Sequence, residues 1–177
     1  SPVDAALIVN YKKQASNFFT LLDKYKTPNI IHVVGADHDK SGLPREKHPS
    51  WIAEMVIDEE KVGYELALRL IDDAIKKGLQ SDDGKIHLVA ISGDPGTLLW
   101  KQRETGRLRA VEERKDQVVY GQTVPTKYWS TDEGYQKVKK LIKRYPKTSV
   151  VWSANDDIAI GVVKGIRETG KIPGKDI

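Results

Sequence analysis

Ile86-His87-Leu88-Val89-Ala90-Ile91-Ser92-Gly93-Asp94-Pro95-Gly96-Thr97 is a short apolar run that breaks abruptly into a turn. Ile86–Ile91 is too short for a helix and reads as a buried strand, and the Gly and Pro residues behind it mark the turn. Thr97 can cap a helix running to about Arg114. The same alternation continues toward the C-terminus. Gln117–Val124 reads as a strand stopped by Pro125. Ser130 with Glu133 forms a capping box for a helix that reaches Tyr145, where Pro146 ends it. Ser149–Ser153 is a further strand. Asn155 or Asp156 caps the next helix, whose buried face carries Ile158, Val162 and Ile166. Gly170 and Pro173 close that helix, and Asp176-Ile177 reads as the start of another strand.

Toward the N-terminus the pattern is similar. Ala5–Val9 and Ile30–Val34 are short apolar runs. Between them Ala15, Phe18, Phe19, Leu22 and Tyr25 recur at helical spacing, which predicts one face of a helix. Gly35 to Ser50 reads as a loop. Trp51–Ile57 reads as extended, and Asp58 caps a helix in which Val62, Leu66, Leu70 and Ala74 repeat every four residues, flanked by Ala67, Ile71 and Ile75, and which ends at Gly78. Repeated β-α units with short buried strands imply parallel sheets covered by helices on both faces, an α/β doubly wound class. The break near residues 35–58 predicts two lobes, 1–57 and 58–177. Both ends of the sequence read as interior to a longer fold.

Composition narrows the function. The 177 residues are 39% hydrophobic and 31% charged, enough apolar material for a core. No apolar run approaches the roughly 18 residues of a membrane span. There is no cysteine, hence no disulfide and no Cys-ligated metal. The net charge of +4 comes from 29 Lys and Arg against 25 Asp and Glu, a weak basic bias. The densest basic stretch, Lys137, Lys139, Lys140, Lys143, Arg144 and Lys147, alternates with Val138, Leu141 and Ile142 and reads as the wet face of a helix rather than a phosphate-binding stripe.

In parallel sheets ligands bind at the carboxyl ends of the strands. Asn10 and Tyr11 follow the first strand, and Asp37 follows the second. Trp100, Lys101 and Arg103 follow Ile86–Ile91; Tyr128 and Trp129 follow Gln117–Val124; Asn155 follows Ser149–Ser153. The rings can stack on a flat ligand or pack between loop and lobe. Asn155 can cap its helix or offer a donor and an acceptor to a ligand hydroxyl. Lys101 and Arg103 can bind an oxygen-rich ligand or form ion pairs. Trp152, inside a strand, belongs in the core. The turn Ser92 to Thr97 lacks the Gly-Lys-Ser/Thr ending of a phosphate loop, and Asp37, His38, Asp39 and His48 lack metal-ligand spacing. No nucleophile stands with a base. These observations predict no enzyme, no cofactor and no metal.

Lys61-Val62-Gly63-Tyr64-Glu65-Leu66-Ala67, Ile91 to Thr97, Arg103-Glu104-Thr105-Gly106-Arg107-Leu108 and, most specifically, Ser153-Ala154-Asn155-Asp156-Asp157-Ile158-Ala159-Ile160-Gly161 resemble the type 1 periplasmic binding proteins. Within that group the chain looks most like the ribose- and galactose-type sugar-binding proteins of ABC transporters. The resemblance runs from about residue 3 to the end. It implies two doubly wound parallel-sheet lobes joined by a hinge, with ligand held in the cleft, and a chain that covers only part of this fold. Residues 1–57 then correspond to part of the N-terminal lobe and 58–177 to most of the C-terminal lobe.

Carried over, Asn10 falls where sugar binders use an Asn, Lys101 where they use an Arg with Trp100 beside it, Tyr128 or Trp129 where a ring stacks on the sugar, and Asn155 on their ligand Asn. Gly35-Ala36 stands where they often have Asp-Arg. That departure argues against a simple pentose or hexose and permits another small polar ligand. The resemblance implies an exported, periplasmic solute-binding protein serving an ABC permease or a membrane sensor kinase, with no nucleic-acid partner. The effector core of a lactose-repressor-type transcription regulator shares the fold and is the alternative.

Overall fold

The structure is a computed structural model that describes residues 3–10 and 14–177. Its elements follow the order β1 (Ala6–Val9), α1 (Ala15–Lys24), β2 (Asn29–Val33), α2 (His38–Ser41), β3 (Trp51–Val56), α3 (Glu59–Lys76), β4 (Ile86–Ser92), α4 (Leu98–Glu113), β5 (Val118–Pro125), α5 (Thr131–Arg144), β6 (Val150–Ser153) and α6 (Asp156–Glu168). The chain is therefore α/β, with two parallel three-stranded sheets ordered β1-β2-β3 and β5-β4-β6. It divides into two compact units. One holds the residues to Asp58 together with Gly96–Leu99, and the other holds Glu59–Pro95 and Trp100–Ile177.

In the first unit, α1 covers one face of the sheet. Phe19 and Trp51 are fully buried, and their rings stack with centroids 4.3 Å apart. Ile8, Ala15 and Ile31 complete this core. The opposite sheet face carries Leu7, Val9, Ile30 and Ile52, all exposed. The predicted helix forms, and on its apolar face Phe18 and Tyr25 are 44% and 66% exposed. Only the narrower stripe through Ala15, Phe19 and Leu22 reaches a three-stranded sheet. The region expected to be all loop contains the single turn α2, whose Ser41 Oγ lies 2.9 Å from Ser16 Oγ of α1.

In the second unit, β4 is central and its side chains alternate between faces. Ile86 and Leu88 pack with Ile71 and Ala74 of α3 and Val111 of α4. Val89, facing the other way, meets Tyr145 at the end of α5 around Gly121. The pairs α3/α4 and α5/α6 thus cover opposite faces. Each pair approaches so closely that backbones touch where one residue lacks a side chain. A Cβ on Gly106 would lie 1.9 Å from the Glu60 carbonyl oxygen, and one on Gly161 would lie 1.9 Å from that of Thr131. Trp152 is 1% exposed, in the core as expected. The basic residues of α5 lie on its wetter side, while Gly134, Val138, Leu141 and Ile142 are buried. The strand expected at Asp176-Ile177 does not form. Asp176 Oδ2 instead accepts the Ile172 N–H at 2.7 Å, which closes a turn.

Candidate functional site

In the second unit the carboxyl ends of β4, β5 and β6 are bound to one another. The Thr126 N–H donates to the Ser92 carbonyl at 2.9 Å and the Ala154 N–H to the Ile91 carbonyl at 3.1 Å, so each chain leaves its strand beside β4. Trp100 Nε1 donates to Ser92 Oγ at 3.0 Å, which fixes the indole of the first turn of α4 against the end of β4.

Trp129 is half-buried and lies against the core of this unit. Its φ of 55° is left-handed, a conformation that costs a residue with a Cβ. Two contacts hold the loop there. Asn155 Nδ2 donates to the Trp129 carbonyl at 3.3 Å. Glu133 accepts the backbone N–H of Lys127 at 2.9 Å and of Tyr128 at 2.8 Å. Burial works against ionisation of Glu133, but these two N–H groups, aided by Lys137 and Ser130, prevail and hold its carboxyl below the usual glutamate value. Ser130 caps α5 by accepting the Glu133 N–H, as the sequence implies. The Glu133 carboxylate reaches back past the cap to the loop, which the capping-box pattern did not reveal.

Asn155 fills the first of the two roles raised by its sequence position, that of a helix cap. Its Oδ1 accepts the Ile158 N–H at 2.9 Å, so it is the N-cap of α6. Its Nδ2 retains a second hydrogen beyond the one given to Trp129. Arg103 is drawn inward: Nε donates to Glu59 Oε2 at 2.6 Å, and Nη1 donates to the Ala154 carbonyl. Glu59, whose side chain is only 2% exposed, was not singled out in the sequence. Lys101 is exposed on α4, and Tyr128 is 70% exposed.

In the first unit, Asn10 is 4% exposed, and both ends of its amide are engaged. Nδ2 donates to the Gly35 carbonyl at 2.6 Å and Oδ1 accepts the Ala15 N–H at 3.0 Å. Asp37 precedes α2, with Oδ2 3.7 Å from Lys40 Nζ. Tyr11 lies outside the described residues. His38 Nε2 lies 2.6 Å from Glu54 Oε1, and Glu54 Oε2 accepts the Ala36 N–H, a brace at the carboxyl ends of β2 and β3 that sequence spacing did not indicate. Among the described residues no group of three or more His, Cys, Asp or Glu is placed to hold a metal, and no helix is long and apolar enough to cross a membrane.

Residues 31–177 match the periplasmic binding protein domain family. Among curated proteins, the ribose import binding protein RbsB of Bacillus subtilis (strain 168) is 23% identical over 129 residues, covering 73% of this chain and 39% of its own length. Among solved structures, a periplasmic sugar-binding protein from Pseudomonas fluorescens is 32% identical with a TM-score of 0.81, over 98% of this chain and 49% of that one. An ABC transporter periplasmic solute-binding protein from Actinobacillus succinogenes 130z, with bound D-allose, shares the fold at 24% identity and a TM-score of 0.78, over 95% of this chain and 55% of that one. The chain spans about half the length of these structures and less of the curated relative.

Proposed function

We propose, from the fact that this chain belongs to the periplasmic binding protein domain family, that it captures a sugar or sugar-like polyhydroxy compound and releases it unchanged. Residues 1–57 and 58–177 act as parts of the N- and C-terminal lobes. The protein works in the periplasm and hands its ligand to an ABC permease, or presents it to a membrane sensor kinase. It is not an enzyme.

One observation carries this reading. The indoles of Trp100 and Trp129 and the amide of Asn155 converge on the carboxyl ends of β4, β5 and β6. Flat apolar rings beside an amide suit a ligand with one C–H face and an edge of hydroxyls. The relatives named above, a ribose import binding protein and a structure holding D-allose, agree in ligand class.

The test is a thermal-shift and calorimetric panel of D-ribose, D-allose, D-arabinose and polyols on the full-length protein. A binding sugar stabilises the folded protein by mass action, by about 2.7 kcal/mol at one hundred times its dissociation constant, and so raises the unfolding midpoint. Mass spectrometry of the recovered ligand then shows it unaltered. Recovery of a converted product at catalytic rates, or tight operator-DNA binding without any sugar response, overturns the reading.

A further inference from the structure

Gly93 occupies the first position after β4 and is buried. The usual reason for glycine in a turn is a left-handed backbone. That reason holds for Gly78, Gly84 and Gly170, whose φ angles are 69°, 75° and 82° and around which there is open space. Gly93 is not in that region, so an ordinary residue could adopt its backbone. What excludes a side chain is Trp129. A Cβ on Gly93 would sit 1.9 Å from Cζ2, 2.1 Å from Cη2 and 2.2 Å from Cε2 of that indole. All three atoms belong to a rigid ring, which cannot bend away as the end of a flexible chain can.

The ring also has little freedom to retreat. Its own backbone is held at φ 55°, its carbonyl takes the Asn155 Nδ2–H, and the two residues before it are held by the Glu133 carboxylate. On the neighbouring residue, Ser92 Oγ accepts the Trp100 indole N–H. Two indoles are thus seated on the dipeptide Ser92-Gly93, one by its N–H and the other against bare backbone.

We propose that Gly93 is a specificity-determining positioning residue: the missing side chain lets the Trp129 indole lie directly on the end of β4, and this depth sets how much room a sugar ring has above it. The inference rests on the sugar-binding reading above. Gly93 acts through Trp129 and does not itself touch ligand. A larger residue at this position lifts the ring and shrinks the space, so it discriminates against bulkier sugars first.

A double-mutant cycle tests it on the full-length protein, with D-ribose, D-allose and D-arabinose as probes in titration calorimetry. Gly93→Ala weakens the best of these sugars by about tenfold or more, while in a Trp129→Ala background the same change has less than about a twofold effect. Equal losses in both backgrounds, or no loss in the first, overturn the proposal. Near-UV circular dichroism supplies a ligand-free readout. The Trp129 band, assigned as the difference from Trp129→Phe, changes in Gly93→Ala; an unchanged band overturns the proposal. If Gly93→Ala does not fold, recovery of the fold in Gly93→Ala/Trp129→Ala supports the steric seat, and failure there overturns it. If the unmutated protein binds none of the three sugars, the sugar reading fails, and the dichroism still decides where the ring sits.

Discussion

Arg103 Nε donates to Glu59 Oε2 at 2.6 Å, joining α4 to the first residue of α3 where the Glu59 side chain is almost wholly buried. The same guanidinium binds the Ala154 carbonyl just before the Asn155 cap. One cation therefore steadies the base of the candidate site while neutralising a carboxylate that water cannot reach.

Removing that cation strands the carboxylate. Arg103→Met is expected to cost about 3–5 kcal/mol in urea unfolding, the usual consequence of breaking one partner from a buried pair. Arg103→Met combined with Glu59→Gln should recover part of the loss, because the buried charge is gone. A single-mutant cost below about 1 kcal/mol would count against the pair.

Helices α5 and α6 touch through Gly161, where a Cβ would lie 1.9 Å from the Thr131 carbonyl oxygen and 2.8 Å from the Tyr135 nitrogen. Both neighbours are backbone and cannot rotate aside. Gly161→Val should destabilise by at least about 1–3 kcal/mol through overpacking. An unchanged chemical-denaturation midpoint would show that the helices part easily.

Acid should loosen the loop under Trp129. Burial opposes the charge on Glu133, but the Lys127 and Tyr128 N–H groups lower its folded pKa below the ordinary value it regains on unfolding. Its contribution is therefore fully present above the unfolded value and is lost as pH falls through the folded one. Between about pH 6 and about pH 3, stability falls less steeply in Glu133→Gln than in the parent. Parallel acid limbs in the two proteins would contradict this.

In the first unit, Trp51 is buried completely against Phe19. Trp51→Ala should cost about 3–5 kcal/mol, combining lost transfer energy with the cavity left behind. The measurement is a urea titration followed through amide exchange in β1–β3. Trp51→Phe, which keeps a ring beside Phe19, should recover a substantial part of the cost.

Local chemistry was readable from the residue order alone. The β-α alternation, the parallel class, the cap at Ser130, a second cap at Asn155 or Asp156 and the buried Trp152 follow from periodicities and capping chemistry confined to a few neighbouring residues. Those signals survive folding because each helix or strand carries its own apolar face and its own end groups. The tertiary structure decided what depends on contacts distant in sequence. Glu59 meets Arg103 across 44 positions, and Asn155 meets the Trp129 carbonyl across 26. Asn10 is engaged by Gly35 and Ala15, while Phe18 and Tyr25 remain exposed. Gly93 shows the division most clearly. Its position after a strand suggests only a turn, but the order β5-β4-β6 brings the end of β5 beside it, and there the bulk of Trp129 makes glycine a steric requirement.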